Sequence, residues 1–113
     1  MHEYSLIQSL VERAEAEARK RSTTAIHRLT VSIGEQAGVD VDLFKTAFLT
    51  FRERTMCEHA DLQISVVPVE WECVECGRSI EPGTPLRCPD CLGPARLRSG
   101  DEIMLDRIEM EVA

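Results

Sequence analysis

No stretch of the 113 residues approaches the roughly 18 consecutive apolar residues that a membrane-spanning helix needs. The opening MHEYSL has neither a basic cluster nor a long apolar run, so a secretory leader is not expected. A soluble, cytoplasmic protein is the expectation. Nothing matches GxxxxGK(S/T) or GxGxxG, which excludes the common phosphate-cradling loops. Internal repeats and low-complexity tracts are absent as well. Basic residues are in deficit, 13 against 20 acidic, for a formal net charge of −7. Around the cysteine-rich segment the only basic residues are Arg78, Arg87, Arg96 and Arg98. They are interrupted by Glu72, Glu75, Glu81 and Asp90. A nucleic-acid surface normally carries an uninterrupted basic patch, so this balance argues against one.

What the chain does have is CVECGRSIEPGTPLRCPDC, from Cys73 to Cys91. Two Cys-x-x-Cys pairs, Cys73/Cys76 and Cys88/Cys91, stand eleven residues apart. Two residues between thiolates let both sulfurs of a pair reach one tetrahedral ion, and two such turns complete a four-sulfur cage suited to structural zinc. Gly77 and Gly93 supply permissive backbone beside the two pairs. Rubredoxin-type iron and a pair of redox-active disulfides are the other readings of this spacing. A catalytic zinc keeps a position open for water, whereas four cysteines close the shell; the cage therefore reads as structural. Four of five cysteines in such pairs fit a reducing compartment.

Elsewhere the periodicity is plain. Leu6, Ile7, Leu10, Val11 and Ala14 fall at helical spacing, which predicts a helix from about Ser5 to about Lys20. AIHRLTVSIG alternates Leu29, Val31 and Ile33 with Arg28, Thr30 and Ser32, as a half-buried strand does. Leu43, Phe44, Ala47, Phe48 and Phe51 predict a second helix from Asp40 or Val41 to about Arg54, with Asp40 or Asp42 as its cap. It carries all three phenylalanines, and packing is their expected role. DLQISVVPVEWE reads as one strand with a bulge near Pro68, and EIMLDRIEMEVA as the last strand. The expected fold is α+β: two helices packed on a three-stranded sheet, with a small four-cysteine zinc-ribbon-like module inserted before the last strand.

Two further places could bind metal. Cys57 and His59 lie two apart and could in principle chelate; a buried, packed Cys57 is the simpler expectation. The chain also begins Met1-His2-Glu3. A free α-amine, the next amide nitrogen and a residue-2 imidazole can close adjacent chelate rings. Nitrogen donors in one plane suit Ni(II) or Cu(II), and Glu3 could complete the shell. In most chains an early histidine is instead an idle exposed side chain.

Taken together, MHEYSL running into a helix, the segment LTVSIGEQAGVDVDLFKTAF, the Cys73/Cys76 and Cys88/Cys91 pairs, and the closing GDEIMLDRIEMEV resemble the HypA/HybF family of NiFe-hydrogenase nickel-insertion accessory proteins. The likeness covers essentially the whole chain. It implies a nickel metallochaperone rather than an enzyme. His2 would be the essential nickel ligand, with the Met1 amine and Glu3 beside it, and Asp40 either a further nickel neighbour or simply the helix cap. Cys73, Cys76, Cys88 and Cys91 would hold structural Zn(II), with Ni(II) as transported cargo. The implied partners are the GTPase HypB, the hydrogenase large subunit and, for some members, urease maturation factors, with no nucleic acid and no membrane. Residues 1–70 plus 100–113 would form the nickel-binding domain and residues 71–99 the zinc-binding module. The competing reading is a zinc-ribbon module for nucleic acid or a transcription partner.

Overall fold

In the computed structural model, residues 3–81 and 86–111 are described. Helix α1 (Glu3–Lys20) leads into strand β1 (Ile26–Gly34), helix α2 (Val41–Phe51) and strand β2 (Asp61–Val67). Strands β3 (Glu70–Cys73), β4 (Ser79–Ile80) and β5 (Ala95–Ser99) follow, and β6 (Ile103–Met110) closes the chain. The strands form two separate sheets, ordered β2-β1-β6 and β4-β3-β5. The radius of gyration is 18.0 Å, against about 13 Å for one compact body of this length, so the molecule is drawn out along one axis.

In the first sheet β1 is the central strand. It pairs with β2 in parallel, Leu29 beside Leu62 and Val31 beside Ile64, as a β-α-β connection through α2 requires. On its other side β6 runs antiparallel, with a register shift between Thr30 and Val31 that leaves Asp106 as the extra residue. That bulge is why the apolar residues of the last strand change phase after Leu105. Leu29, Val31 and Ile33 of β1 are fully or almost fully buried against Ile7, Val11 and Ala14 of α1 and Phe44 and Phe48 of α2. Phe44 and Phe48 are the largest fully buried side chains, so packing, the expected role of the phenylalanines, is realised at these two.

Two elements differ from the sequence reading. Helix α2 stops at Phe51 rather than near Arg54. Arg54 takes φ 63°, and Arg52 turns back to donate from Nη1 to the Ala60 carbonyl at 2.7 Å. The expected single strand over 61–72 is two: β2 stays in the first sheet, and after Pro68 the chain enters the second sheet as β3. The irregularity expected as a bulge near Pro68 is thus a change of sheet. The strands that flank the cysteine segment, β2 and β6, each pair with β1.

The two sheets meet at a three-ply neck. Gly34 N–H donates to Glu102 O at 2.8 Å, Glu35 N–H to Val67 O at 2.9 Å, and Gln36 N–H to Gly100 O at 2.6 Å. The Glu35 side chain crosses the junction, with Oε1 accepting from Val69 N–H at 2.6 Å. A Cβ on Gly34 would lie 2.2 Å from the Gly100 carbonyl, so no larger residue fits there. Gly100 itself has φ +102°, and a Cβ on it would lie 2.8 Å from Val69 Cα. Among the described residues no helix is long and apolar enough to cross a membrane.

Candidate metal centres

The second sheet exists to present four sulfurs. Cys73 ends β3, and its N–H donates to Arg78 O at 2.8 Å while Gly77 N–H returns to Cys73 O at 3.0 Å. The second pair repeats the turn: Cys88 N–H donates to Gly93 O at 2.9 Å, and Leu92 N–H to Cys88 O at 3.0 Å. The residue after each pair takes a left-handed conformation, Gly77 at φ 75° and Leu92 at φ 61°. Glycine adopts this region freely; leucine does so at a cost of about 1 kcal/mol.

All four Sγ atoms lie within 4.8 Å of one another, Cys73 to Cys91 at 3.3 Å and Cys76 to Cys88 at 3.7 Å. A tetrahedral ion with metal–sulfur bonds of about 2.3 Å sets its sulfurs about 3.8 Å apart, so the donor set fits zinc in number, type and spacing. Backbone donors are in place for thiolates. The Cys76 N–H, 3.5 Å from the Cys73 sulfur, is the main reason that thiol sits below its ordinary range. The Cys91 N–H does the same for Cys88. At Cys91 the Gly93 N–H favours the thiolate, but the neighbouring sulfurs, Cys73 first, together with burial push the thiol up to about 12. Four thiolates this close repel one another, and a divalent cation among them removes that repulsion. A Cβ on Gly93 would approach the Cys73 sulfur to 3.0 Å and the Cys91 sulfur to 3.3 Å, so this glycine is needed for room.

Met1 and His2 lie outside the described residues. Glu3 begins α1 and is buried at 7 % exposure. Its Oε2 accepts from the main-chain N–H of Asp40 at 3.0 Å, and this bond, first of all, lowers the Glu3 carboxyl below its ordinary range. Asp40 caps α2: its Oδ1 accepts from Leu43 N–H at 3.1 Å. Glu3 and Asp40, far apart in sequence, are therefore neighbours. The cap role of Asp40 is realised, and its main-chain N–H also holds the Glu3 carboxylate.

Cys57 and His59 are not brought together as ligands. Cys57 is fully buried, and desolvation with the nearby Glu15 charge pushes its thiol up to about 11, while the His59 side chain is 92 % exposed beside Glu58. Among the described residues the four-cysteine group is the one cluster with metal-ligand geometry. Two features had no sequence signal: the Glu35 bond across the neck and the left-handed Leu92.

Comparison with known proteins agrees on one family along the whole chain. Residues 1–110 match the family described as "Hydrogenase/urease nickel incorporation, metallochaperone, hypA". Hydrogenase maturation factor HypA of Shewanella halifaxensis is 32 % identical over 115 residues, covering 100 % of both chains. That of Helicobacter hepaticus is 34 % identical over 116 residues, 99 % of this chain and 98 % of the other. The solution structure of the Ni metallochaperone HypA from Helicobacter pylori superposes with a TM-score of 0.76 at 36 % identity, covering 100 % of both chains. A second solution structure, of HypA protein, gives 0.83 at 36 %, covering 100 % of this chain and 98 % of that one.

Proposed function

This chain belongs to the HypA family of nickel metallochaperones of hydrogenase maturation, and from that premise we propose that it carries Ni(II) on its N-terminus and helps to insert it into the hydrogenase large subunit. The ligands would be the imidazole of His2, the Met1 amine and Glu3, with Asp40 as a further neighbour. HypB would be the GTPase partner and the cytoplasm the place of work; the family's description names urease beside hydrogenase.

The observation that carries this reading is the placement of Glu3. A buried carboxylate held anionic by the Asp40 N–H stands one residue from His2, beside a second carboxylate. Two nitrogens and a carboxylate make an exchangeable set, as a delivery protein needs, whereas a closed thiolate cage holds its ion. Zinc in the cage would supply folding energy to its segment; Cys73, Cys76, Cys88 and Cys91 would hold it. The same logic divides the chain into a nickel-binding domain, residues 1–70 plus 100–113, and a zinc-binding module, residues 71–99. Two sheets and two separate buried clusters support that division.

A calorimetric Ni(II) titration of zinc-loaded protein tests the reading. Native-terminus protein should bind Ni(II), and His2→Ala or a residue added ahead of Met1 should not, at unchanged fold. Equal titration curves for all three would refute it.

A further inference from the structure

An open groove of about 700 Å³ runs between one flank of α1 and the last strand. Its helical wall is Arg13, Ala16, Glu17 and Arg21, a stripe at helical spacing beside the buried face of Val11, Ala14 and Ala18. Its other side is the whole run from Leu105 to Met110. Side chains of a strand alternate between two faces, so six consecutive residues line a groove only where it follows the backbone edge. β6 is such an edge: in the order β2-β1-β6 it has β1 on one side and, among the described residues, no strand on the other. Eight residues of helix rise about 12 Å and five of strand about 16 Å, so the opening has the length of a short extended segment.

The register fixes which groups of this edge are open. Glu111 N–H donates to Ala25 O at 2.9 Å, so Glu111, and by alternation Glu109 and Arg107, turn their main-chain groups toward β1. Ile108 and Met110 then turn theirs outward. The bulge at Asp106 ends this usable edge on one side. From Arg107 to Met110 the strand has no insertion, because the other register shift of the ladder falls at His27 on β1. Ile108 and Met110, opposite Leu29 and Ile26, lie on the helix-covered face as a half-buried apolar floor, and Ala16 on the helical wall is small and exposed. Arg107 and Glu109, opposite Thr30 and Arg28, lie on the other face.

The charges around the groove are unequally satisfied. Glu17 is paired with Arg21 at 2.8 Å and Lys20 at 3.2 Å, Glu109 with Arg28 at 3.5 Å, and Asp106 accepts from the Ser32 hydroxyl. Arg13 and Arg107 have no ion pair among the described residues. The Glu111–Ala25 bond sets the end of α1 beside the end of β6, so Arg21 stands at the Met110 end of the groove and Arg13 at the Leu105 end. The two unpaired guanidiniums thus belong to one end, on a chain whose net charge is −7.

We infer that this groove is a strand-addition site for an extended segment of another protein, apolar at alternate positions and acidic at its C-terminal end. The segment runs antiparallel to β6. Two of its residues exchange roughly two hydrogen bonds each with Ile108 and Met110, and their apolar side chains lie on the floor beside Ala16. The next residue faces Arg107 and the one after it approaches Arg13, and carboxylates there complete both ion pairs. The residue that faces Glu109 is neutral. Main-chain pairing holds the segment, while the floor and the two arginines select it.

The test titrates full-length zinc-loaded protein with the blocked peptide acetyl-Thr-Val-Thr-Val-Glu-Glu-amide and follows the backbone amides by NMR. Binding should saturate with a dissociation constant at or below about 1 mM. The amides of Ile108 and Met110 should exchange more slowly with peptide bound, while those of Leu62 and Ile64 on β2 stay constant. The same peptide with Lys for both Glu should bind at least about tenfold more weakly, and the double variant Arg13→Glu, Arg107→Glu should reverse that order. Ala16→Trp fills the groove from an exposed position and should abolish binding of both peptides. No saturable binding, equal affinity for the two peptides, or a response on β2 instead of β6 would each overturn the inference. So would protection of Ile108 and Met110 that rises with protein concentration alone, since a second copy would then be the occupant. Should a variant fail to fold, the two peptides on the unmodified protein still decide.

Discussion

The main-chain N–H of Asp40 donates to the Glu3 carboxylate across 3.0 Å, so the first turn of α1 and the cap of α2 are tied at one point. Asp40 thereby has two separable roles, as a cap and as a charge. Asp40→Asn keeps a side chain that caps equally well, and Asp40→Ala does not. Thermal or urea unfolding should show a loss of about 1 kcal/mol for Asp40→Ala and almost none for Asp40→Asn. A fall in Ni(II) affinity in Asp40→Asn would then report the charge alone.

Acid should release nickel through the nitrogens rather than through Glu3. The Asp40 N–H holds Glu3 below the usual carboxylate range, so it stays anionic while an imidazole with an ordinary pKa of about 6.5 takes up its proton. Ni(II) affinity followed from pH 8 to pH 5 should therefore drop steeply near the histidine range. A drop confined to pH below 5 would contradict this.

Burial raises the Cys57 thiol to about 11 from its ordinary 9.0. A thiol whose folded value is raised contributes stability fully below the unfolded value and loses it as pH rises toward the folded one. Unfolding measured from pH 8 to pH 11 should thus show stability falling above about pH 9, by up to about 2–3 kcal/mol from this group. Cys57→Ala should flatten part of that decline. At pH 8 iodoacetamide should leave Cys57 unlabelled until the chain is unfolded, as peptide mapping would show.

Leu92 occupies the left-handed position that Gly77 holds in the first turn. Leu92→Gly should relieve that conformation and raise zinc retention or stability by up to ~1 kcal/mol. Gly93→Ala should do the opposite, because its methyl would press on the Cys73 sulfur. Competition with a chromogenic zinc chelator ranks the three proteins; a Gly93→Ala variant that holds zinc as well as the parent would show that the neighbouring sulfurs can give way.

Much of this architecture could be read in advance wherever a local rule applied. Helical spacing located α1 to within two residues at its start, the alternation of Leu29, Val31 and Ile33 located β1, and the cysteine spacing located the cage. The second sheet was hidden. Its strands run from two to five residues, too short for alternation to register, and the apolar run through Pro68 looked like one strand because both halves alternate. Parallel pairing of β1 with β2 also leaves no local mark. The neck depends on Gly34 meeting Gly100, two glycines whose need becomes visible only when their backbones touch.

The order of strands carries one more consequence. Residues 68–102 form a single excursion between β2 and β6, strands that both belong to the first sheet. With the cage open, adding β6 to that sheet means closing a slack loop of some 35 residues; with the cage shut, the slack is reduced to a few residues on either side of the neck. Closure entropy varies as about (3/2)RT ln n, so the difference is on the order of 1–2 kcal/mol. An ion in the cage would thus stabilise the helical end of the molecule without touching it, by making its last strand easier to bring home.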